Sequence, residues 1–157
     1  MLVTLRKIVA IGAIAILTVL GGTATASAQS NKPHAAADVI RLQNAGTQRC
    51  IDDSDFGFRT NICNGSVNQQ WTTLRFIDDG SYRFRNVSTG RCIDDSDFGF
   101  RTNDCNISQY QSWKATRNGG GWVLQNVATK RCIDDSDFGF RTNICNKSPY
   151  QTFAWEL

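Results

Sequence analysis

From Asp38 onward the chain alternates apolar and polar residues over short runs, separated by clusters of Gly, Asn, Asp and Ser. Alternation with period two is the signature of a half-buried strand, and no run of helical period follows residue 38. Three strand-like stretches stand out: Val39-Ile40-Arg41-Leu42, Tyr82-Arg83-Phe84-Arg85 and Trp122-Val123-Leu124-Gln125. An Asn-x-x-Thr or Asn-x-x-Ser turn follows each, as from Asn86 to Thr89. The pattern predicts an all-β domain over residues 38–157.

The strands recur because the sequence recurs. Arg49 to Asn61 reads RCIDDSDFGFRTN, and the same thirteen residues return at Arg91 to Asn103 and Arg131 to Asn143. One variable residue and a Cys-Asn pair follow each block, and each unit closes on Gln-x-aromatic: Gln69-Gln70-Trp71, Gln111-Ser112-Trp113 and Gln151-Thr152-Phe153. The first cysteines of the copies lie 42 and then 40 residues apart. A unit of that size cannot bury its own core, so three must share one. The units run over about residues 38–74, 75–116 and 117–157.

Residues 1–37 have a different character. Arg6 and Lys7 precede an apolar run from Ile8 to Leu20, and small residues end in Ala26-Ser27-Ala28. That is the grammar of a secretory signal peptide, and the run is shorter than the ~20 residues a membrane span needs. We expect cleavage after Ala28, a flexible leader over residues 29–37 holding Pro33 and the only histidine, His34, and a secreted, standalone, monomeric domain with no membrane insertion. Once Arg6 and Lys7 are removed, 15 basic residues face 14 acidic ones. Nucleic acid is then a poor partner, because neutralising phosphates needs a basic patch.

Six cysteines in an exported chain read as a disulfide framework. Many pairings are possible in principle. Only Cys50–Cys63, Cys92–Cys105 and Cys132–Cys145 keep the three copies equivalent, so one disulfide per repeat is expected. A zinc site would need Cys-x-x-Cys or histidines, which the repeats lack, and no cofactor is expected.

The block between the cysteines is identical in all copies while the flanking strands have diverged, as in Ile40 against Phe84 and Leu124. A demanding hairpin would explain this, with Gly57, Gly99 and Gly139 at the turn and Arg59 paired to Asp52 or Asp53. A ligand site in triplicate would explain it too, and hairpin tips tolerate too many sequences for the first account to be preferred. If Phe58, Thr60 and Ile62 face the core, Arg59 and Asn61 line a groove with Asp52 and Asn64. A carboxylate, a guanidinium and carboxamides offer donors and acceptors matched to vicinal hydroxyls.

Three repeats closed by Gln-x-Trp, each with a cysteine pair and an Asp two residues after the first Cys, resemble the ricin B-type (R-type) lectin family over essentially all of residues 38–157. The resemblance implies a β-trefoil of four strands per repeat with pseudo-threefold symmetry. It implies that Trp71, Trp113 and Phe153 meet in the core, and that Asp52, Asp94 and Asp134 accept hydrogen bonds from sugar hydroxyls. The three-repeat actinohivin-like lectins look similar as well. Their Asn after the second cysteine position and Tyr before the Gln are matched by Asn106 with Tyr110 and Asn146 with Tyr150, whereas in the first repeat Asn64 is joined by Asn68.

Ricin-type sites usually set an aromatic platform two residues before the second Cys, where this chain has Asn61, Asn103 and Asn143. Phe56, Phe98 and Phe138 either supply that stacking or pack the turn. The complete candidate set adds Arg59, Arg101 and Arg141, and an arginine in the groove is compatible with an acidic sugar. Glycans or polysaccharides are the expected partners, with no catalysis. The competing readings are a protein-recognition or inhibitor trefoil, a calcium loop at Asp52-Asp53-Ser54-Asp55, and a glycoside hydrolase using the same carboxylates. The last is disfavoured by three equivalent copies on short loops with no histidine to activate a nucleophile.

Overall fold

The computed structural model describes residues 38–76 and 78–156, and the expected signal peptide and leader lie outside the described residues. Twelve strands form among the described residues. The first repeat supplies β1 (Val39–Asn44), β2 (Arg49–Ser54), β3 (Gly57–Ile62) and β4 (Trp71–Arg75). The second supplies β5 (Tyr82–Asn86), β6 (Cys92–Ser96), β7 (Gly99–Asn103) and β8 (Trp113–Asn118), and the third β9 (Gly121–Asn126), β10 (Cys132–Ser136), β11 (Gly139–Asn143) and β12 (Thr152–Glu156).

Six strands close a ring in which β1 pairs β4, β4 pairs β5, β5 pairs β8, β8 pairs β9, β9 pairs β12 and β12 returns to β1, all antiparallel. Closure removes the unpaired edges that an open sheet would expose. The hairpins β2–β3, β6–β7 and β10–β11 attach as a second triplet. This is a β-trefoil. Each hairpin turns at a glycine with φ of 93°, 97° and 96° for Gly57, Gly99 and Gly139, a left-handed conformation that a side chain rarely adopts.

Alternation on β1 sends Ile40, Leu42 and Asn44 inward, and the equivalent residues of the other repeats follow. Trp71, Trp113 and Phe153 are completely buried, and each indole donates its Nε1–H to a carbonyl, Ile51 O and Ile93 O, at 3.1 Å. Phenylalanine carries no such donor, so Phe153 fills the same buried position without this bond. The rings that meet one another on the pseudo-threefold axis are Phe58, Phe100 and Phe140, with centroids 4.9–5.0 Å apart. Trp71 and Trp113 pack against Phe58 and Phe100 at 6.2 Å and share one core cluster with Phe153.

All three disulfides are the within-repeat pairs. One expectation for the hairpins fails. Phe58 points to the core, but Ile62 is 77% exposed, because it ends β3 where the chain leaves the hairpin. Its counterpart Asp104 already carried that signal, since a core position would not accept an aspartate.

Candidate functional site

Asp52 and Asp53 are neighbours on β2, and the pleat sends them apart. Asp53 is fully buried and accepts from the next repeat: Nε and Nη2 of Arg91 at 3.1 and 2.7 Å, Thr102 Oγ1 at 2.8 Å, and Thr89 Oγ1. Asp95 takes the same four bonds from Thr129, Arg131 and Thr142, and Asp135 takes them from Thr47, Arg49 and Thr60. The clasps therefore run from repeat 1 to 2, from 2 to 3 and from 3 back to 1. The Asn of each Asn-x-x-Thr turn adds another link, as Asn126 Nδ2 donates to Tyr110 O at 2.7 Å and Asn44 Nδ2 to Tyr150 O at 2.7 Å.

Asp52 faces the other way, directly across from Arg59 in the β2–β3 register. Its Oδ2 accepts from Gln69 Nε2 at 3.3 Å. Its Oδ1 lies 3.8 Å from Arg59 Nε, an ion pair too long for a hydrogen bond. Both atoms are buried and have no hydrogen-bond partner. The second repeat repeats the arrangement with Asp94 and Arg101 at 3.9 Å. In the third, Arg141 Nε lies 3.8 Å from Asp134 Oδ1 and has no partner, while Ser136 Oγ donates to that oxygen at 2.8 Å. A buried carboxylate oxygen without a donor is costly, so Asp52 Oδ1 and Asp94 Oδ1 are held in place with an acceptor that the fold itself leaves unmet.

Gln69 does the holding. It is completely buried, accepts from Asn64 N–H at 3.0 Å, and donates to Ile62 O at 2.9 Å as well as to Asp52. Gln111 and Gln151 make the same three bonds in their repeats. The glutamine of Gln-x-Trp thus ties the segment after the second cysteine to the aspartate on β2. Its identity in all three copies was the available signal for this role.

Phe56, Phe98 and Phe138 stand at the hairpin tips with 80%, 82% and 81% of their surface exposed, which rules out turn packing. The guanidinium of Arg59, Arg101 or Arg141 lies 5.0–5.1 Å from the neighbouring ring centre and braces one face of it. In the first repeat a cleft of about 490 Å³ gathers Asp52, Phe56, Arg59, Asn61, Asn64 and Asn68, so every expected residue of that copy lines one space. Asp55 lines it too, as do Ser88 and Thr89 of the second repeat, none of which was expected. Asn61 Oδ1 accepts from Ile62 N–H at 2.9 Å, Asn143 Oδ1 accepts from Ile144 N–H at 2.8 Å, and Asn103 occupies the same register position opposite Cys92. Asn64, Asn106 and Asn146 are exposed, and Tyr110 and Tyr150 are the middle residues of the 3-10 turns that end on Gln111 and Gln151.

The fold accounts for roughly half of the identical block: the clasp residues Arg49, Asp53 and Thr60, the disulfide, Ile51, Gly57 and Phe58. Asp55, Phe56, Arg59 and Asn61 have no comparable duty in holding the fold together. Because Asp53 turns away, the clustered acids do not converge, and among the described residues no group of three or more His, Cys, Asp or Glu is placed to hold a metal.

A closed trefoil with one polar, aromatic-edged groove presented by a repeat defines a lectin-type binding domain. The family described as ricin-type beta-trefoil lectin domain-like matches residues 28–110 and 68–144, and the chain belongs to it. No curated protein matches the chain significantly in sequence. Among solved structures, it is similar to the designed threefold-symmetric protein ThreeFoil, with a TM-score of 0.69 and 14% identity over 76% of this chain and 98% of that one. SeviL bound to asialo-GM1 saccharide aligns at 0.66 and 11% identity, over 76% and 97%. A GlcNAcα1-4Gal-releasing endo-β-galactosidase from Clostridium perfringens aligns at 0.68 and 12%, over 75% of this chain and 32% of that one. The chain thus spans nearly all of the first two and about a third of the galactosidase.

Proposed function

We propose that the protein is a secreted, monomeric, non-catalytic lectin whose three grooves each receive one sugar unit of a glycan. The observation that carries this reading is the pair of unpartnered buried atoms, Asp52 Oδ1 and Arg59 Nε, beside the exposed ring of Phe56. A pyranose offers what that trio lacks. One hydroxyl oxygen accepts from the half-exposed Arg59 guanidinium, an adjacent hydroxyl donates to the Asp52 carboxylate as that arginine shifts off it, and the C–H face lies on the aromatic ring. Asn61 and Asn64 add carboxamides at the rim. Two carboxylates, Asp52 and Asp55, against one guanidinium leave the first groove with a formal charge of −1, which favours neutral sugars over acidic ones.

Membership of the lectin family supports the reading, and three disulfides suit an oxidising extracellular compartment. The signal peptide over residues 1–28 is removed on export. Three weak sites on one body bind a clustered glycan by avidity, gaining about a hundredfold or more over one site. The first groove, with Asn68 in place of tyrosine, differs in affinity from the other two.

Glycan-array binding of the mature protein, beside a variant carrying Asp52→Ala, Asp94→Ala and Asp134→Ala, tests the proposal. The native protein should bind, and the variant should be folded by circular dichroism and silent. A native protein that binds no glycan overturns the lectin reading in favour of protein recognition through the exposed tip phenylalanines. Undiminished binding by the folded variant moves the site elsewhere.

A further inference from the structure

Two Asn-Gly pairs occur in the described residues, Asn64-Gly65 and Asn118-Gly119, and the structure treats them in opposite ways. An Asn-Gly bond is chemically vulnerable because glycine leaves its backbone nitrogen free to approach the preceding carboxamide. At Asn118 the carboxamide nitrogen is fastened, donating to Thr152 Oγ1 at 2.7 Å and Lys147 O at 2.9 Å. Asn64 is exposed on the rim of the first groove. Its Oδ1 accepts from the backbone N–H of Ser66 at 3.0 Å, and its Nδ2 has no acceptor among the described residues. The N–H of Gly65 likewise meets no acceptor among them.

We infer that Asn64 is a site of spontaneous deamidation that retires the first groove selectively. The deprotonated backbone nitrogen of Gly65 attacks Asn64 Cγ and forms a new N–C bond. Negative charge gathers on Oδ1, the oxygen to which Ser66 N–H already donates, so the turn supplies an oxyanion donor. The Cγ–Nδ2 bond breaks, and the amine leaves as ammonia with the proton lost by the Gly65 amide. Water then opens the succinimide at one of its two carbonyls, leaving aspartate or isoaspartate at position 64.

The other repeats isolate the cause. Asn106 and Asn146 receive the same donor, from Ser108 and Ser148 N–H at 2.9 Å, but Ile107 and Lys147 follow them and their side chains crowd the attacking nitrogen. Only the first groove combines the donor with a following glycine. Modification adds a third carboxylate beside Asp52 and Asp55, and isoaspartate lengthens the backbone by one carbon where Asn64 N–H meets Gln69. The consequence for binding rests on the proposed function, whereas the chemistry does not.

The experiment is incubation of the mature protein in mildly alkaline buffer, with peptide mapping by mass spectrometry at intervals. Position 64 should gain the mass of deamidation faster than Asn118 by about a hundredfold, the lower end of the scale on which one oxyanion donor matters. Gly65→Lys should suppress it, and that variant should fold because Lys147 takes the equivalent position with φ of 57° against 71° for Gly65. Equal rates at Asn64 and Asn118, or an unchanged rate in Gly65→Lys, overturns the inference. Titration of aged protein with a glycan found on the array should show the binding stoichiometry fall by one site. Mass change at Asn64 without any native glycan binding would leave the deamidation standing and sink only the lectin reading.

Discussion

Asp52 and Asp53 differ by one position and by the whole of their function, and substituting them separately tests the assignment. Asp53→Ala removes the acceptor of the clasp to the second repeat, orphaning Arg91, Thr89 and Thr102. Breaking one side of a buried ion pair costs about 3–5 kcal/mol. The Arg91 side chain is 40% exposed and regains water, which places the expected loss near the low end, about 3 kcal/mol. For a domain of this size that corresponds to a fall in Tm of roughly 10 °C. Asp52→Ala removes one long bond from Gln69, whose amide keeps its contact with Ile62 O, and leaves no new buried orphan. Its cost is expected within about 1 kcal/mol.

Thermal and urea unfolding with disulfides intact measures both, and titration with a bound glycan measures what remains of the sites. Asp53→Ala should lose stability while its folded fraction binds normally at the second and third grooves. Asp52→Ala should lose one site at nearly native stability. An Asp53→Ala protein as stable as the native one, or an Asp52→Ala protein that loses as much as Asp53→Ala, would refute the division of labour.

The triple variant Phe56→Ala, Phe98→Ala, Phe138→Ala should change stability by no more than about 0.5 kcal/mol per site, since the rings are exposed, yet abolish glycan binding on the array. Gln69→Ala should cost about 2 kcal/mol by orphaning Asn64 N–H and Ile62 O, and should weaken the first groove as Asp52 loses its anchor, read by unfolding together with titration. Asp79 is held below its ordinary pKa of 3.8, first by the Ser81 hydroxyl and then by the Ser81 N–H. A depressed carboxylate contributes stability above its unfolded pKa and loses it as pH falls through the folded one. The loop before β5 should therefore loosen below pH 3.8, and carboxyl chemical shifts followed through an acid titration would place the midpoint of Asp79 below that value.

Much of the architecture was legible because it is written three times. Periodicity, the cysteine pairs and the Gln-x-aromatic closures were enough to reach all-β repeats with one disulfide each, and the family resemblance supplied the trefoil. The partners of the clasp were not legible, for a reason peculiar to repetition. Arg49, Arg91 and Arg131 are identical, so no pattern distinguishes a bond within a repeat from one to its neighbour. Only the closed ring decides that Arg91 reaches back to Asp53. The exposed Ile62 was misread because strict alternation was carried one residue past the end of the hairpin's packed portion. The open atoms of Asp52 and Arg59 lay beyond sequence reasoning, since a separation of 3.8 Å rather than hydrogen-bond contact is set by backbone register and twist.

The clasp running from Asp135 back to Thr47, Arg49 and Thr60 gives the molecule no terminal repeat. An open stack of modules frays from its ends and needs specialised caps there. Here each unit carries both halves of the joint, acceptor and donors alike, so every seam is equivalent and any of the three could be the place where the polypeptide is interrupted. Symmetry of this kind makes order along the chain a matter of connectivity alone, and a rearranged chain starting at the second or third unit would assemble the same ring.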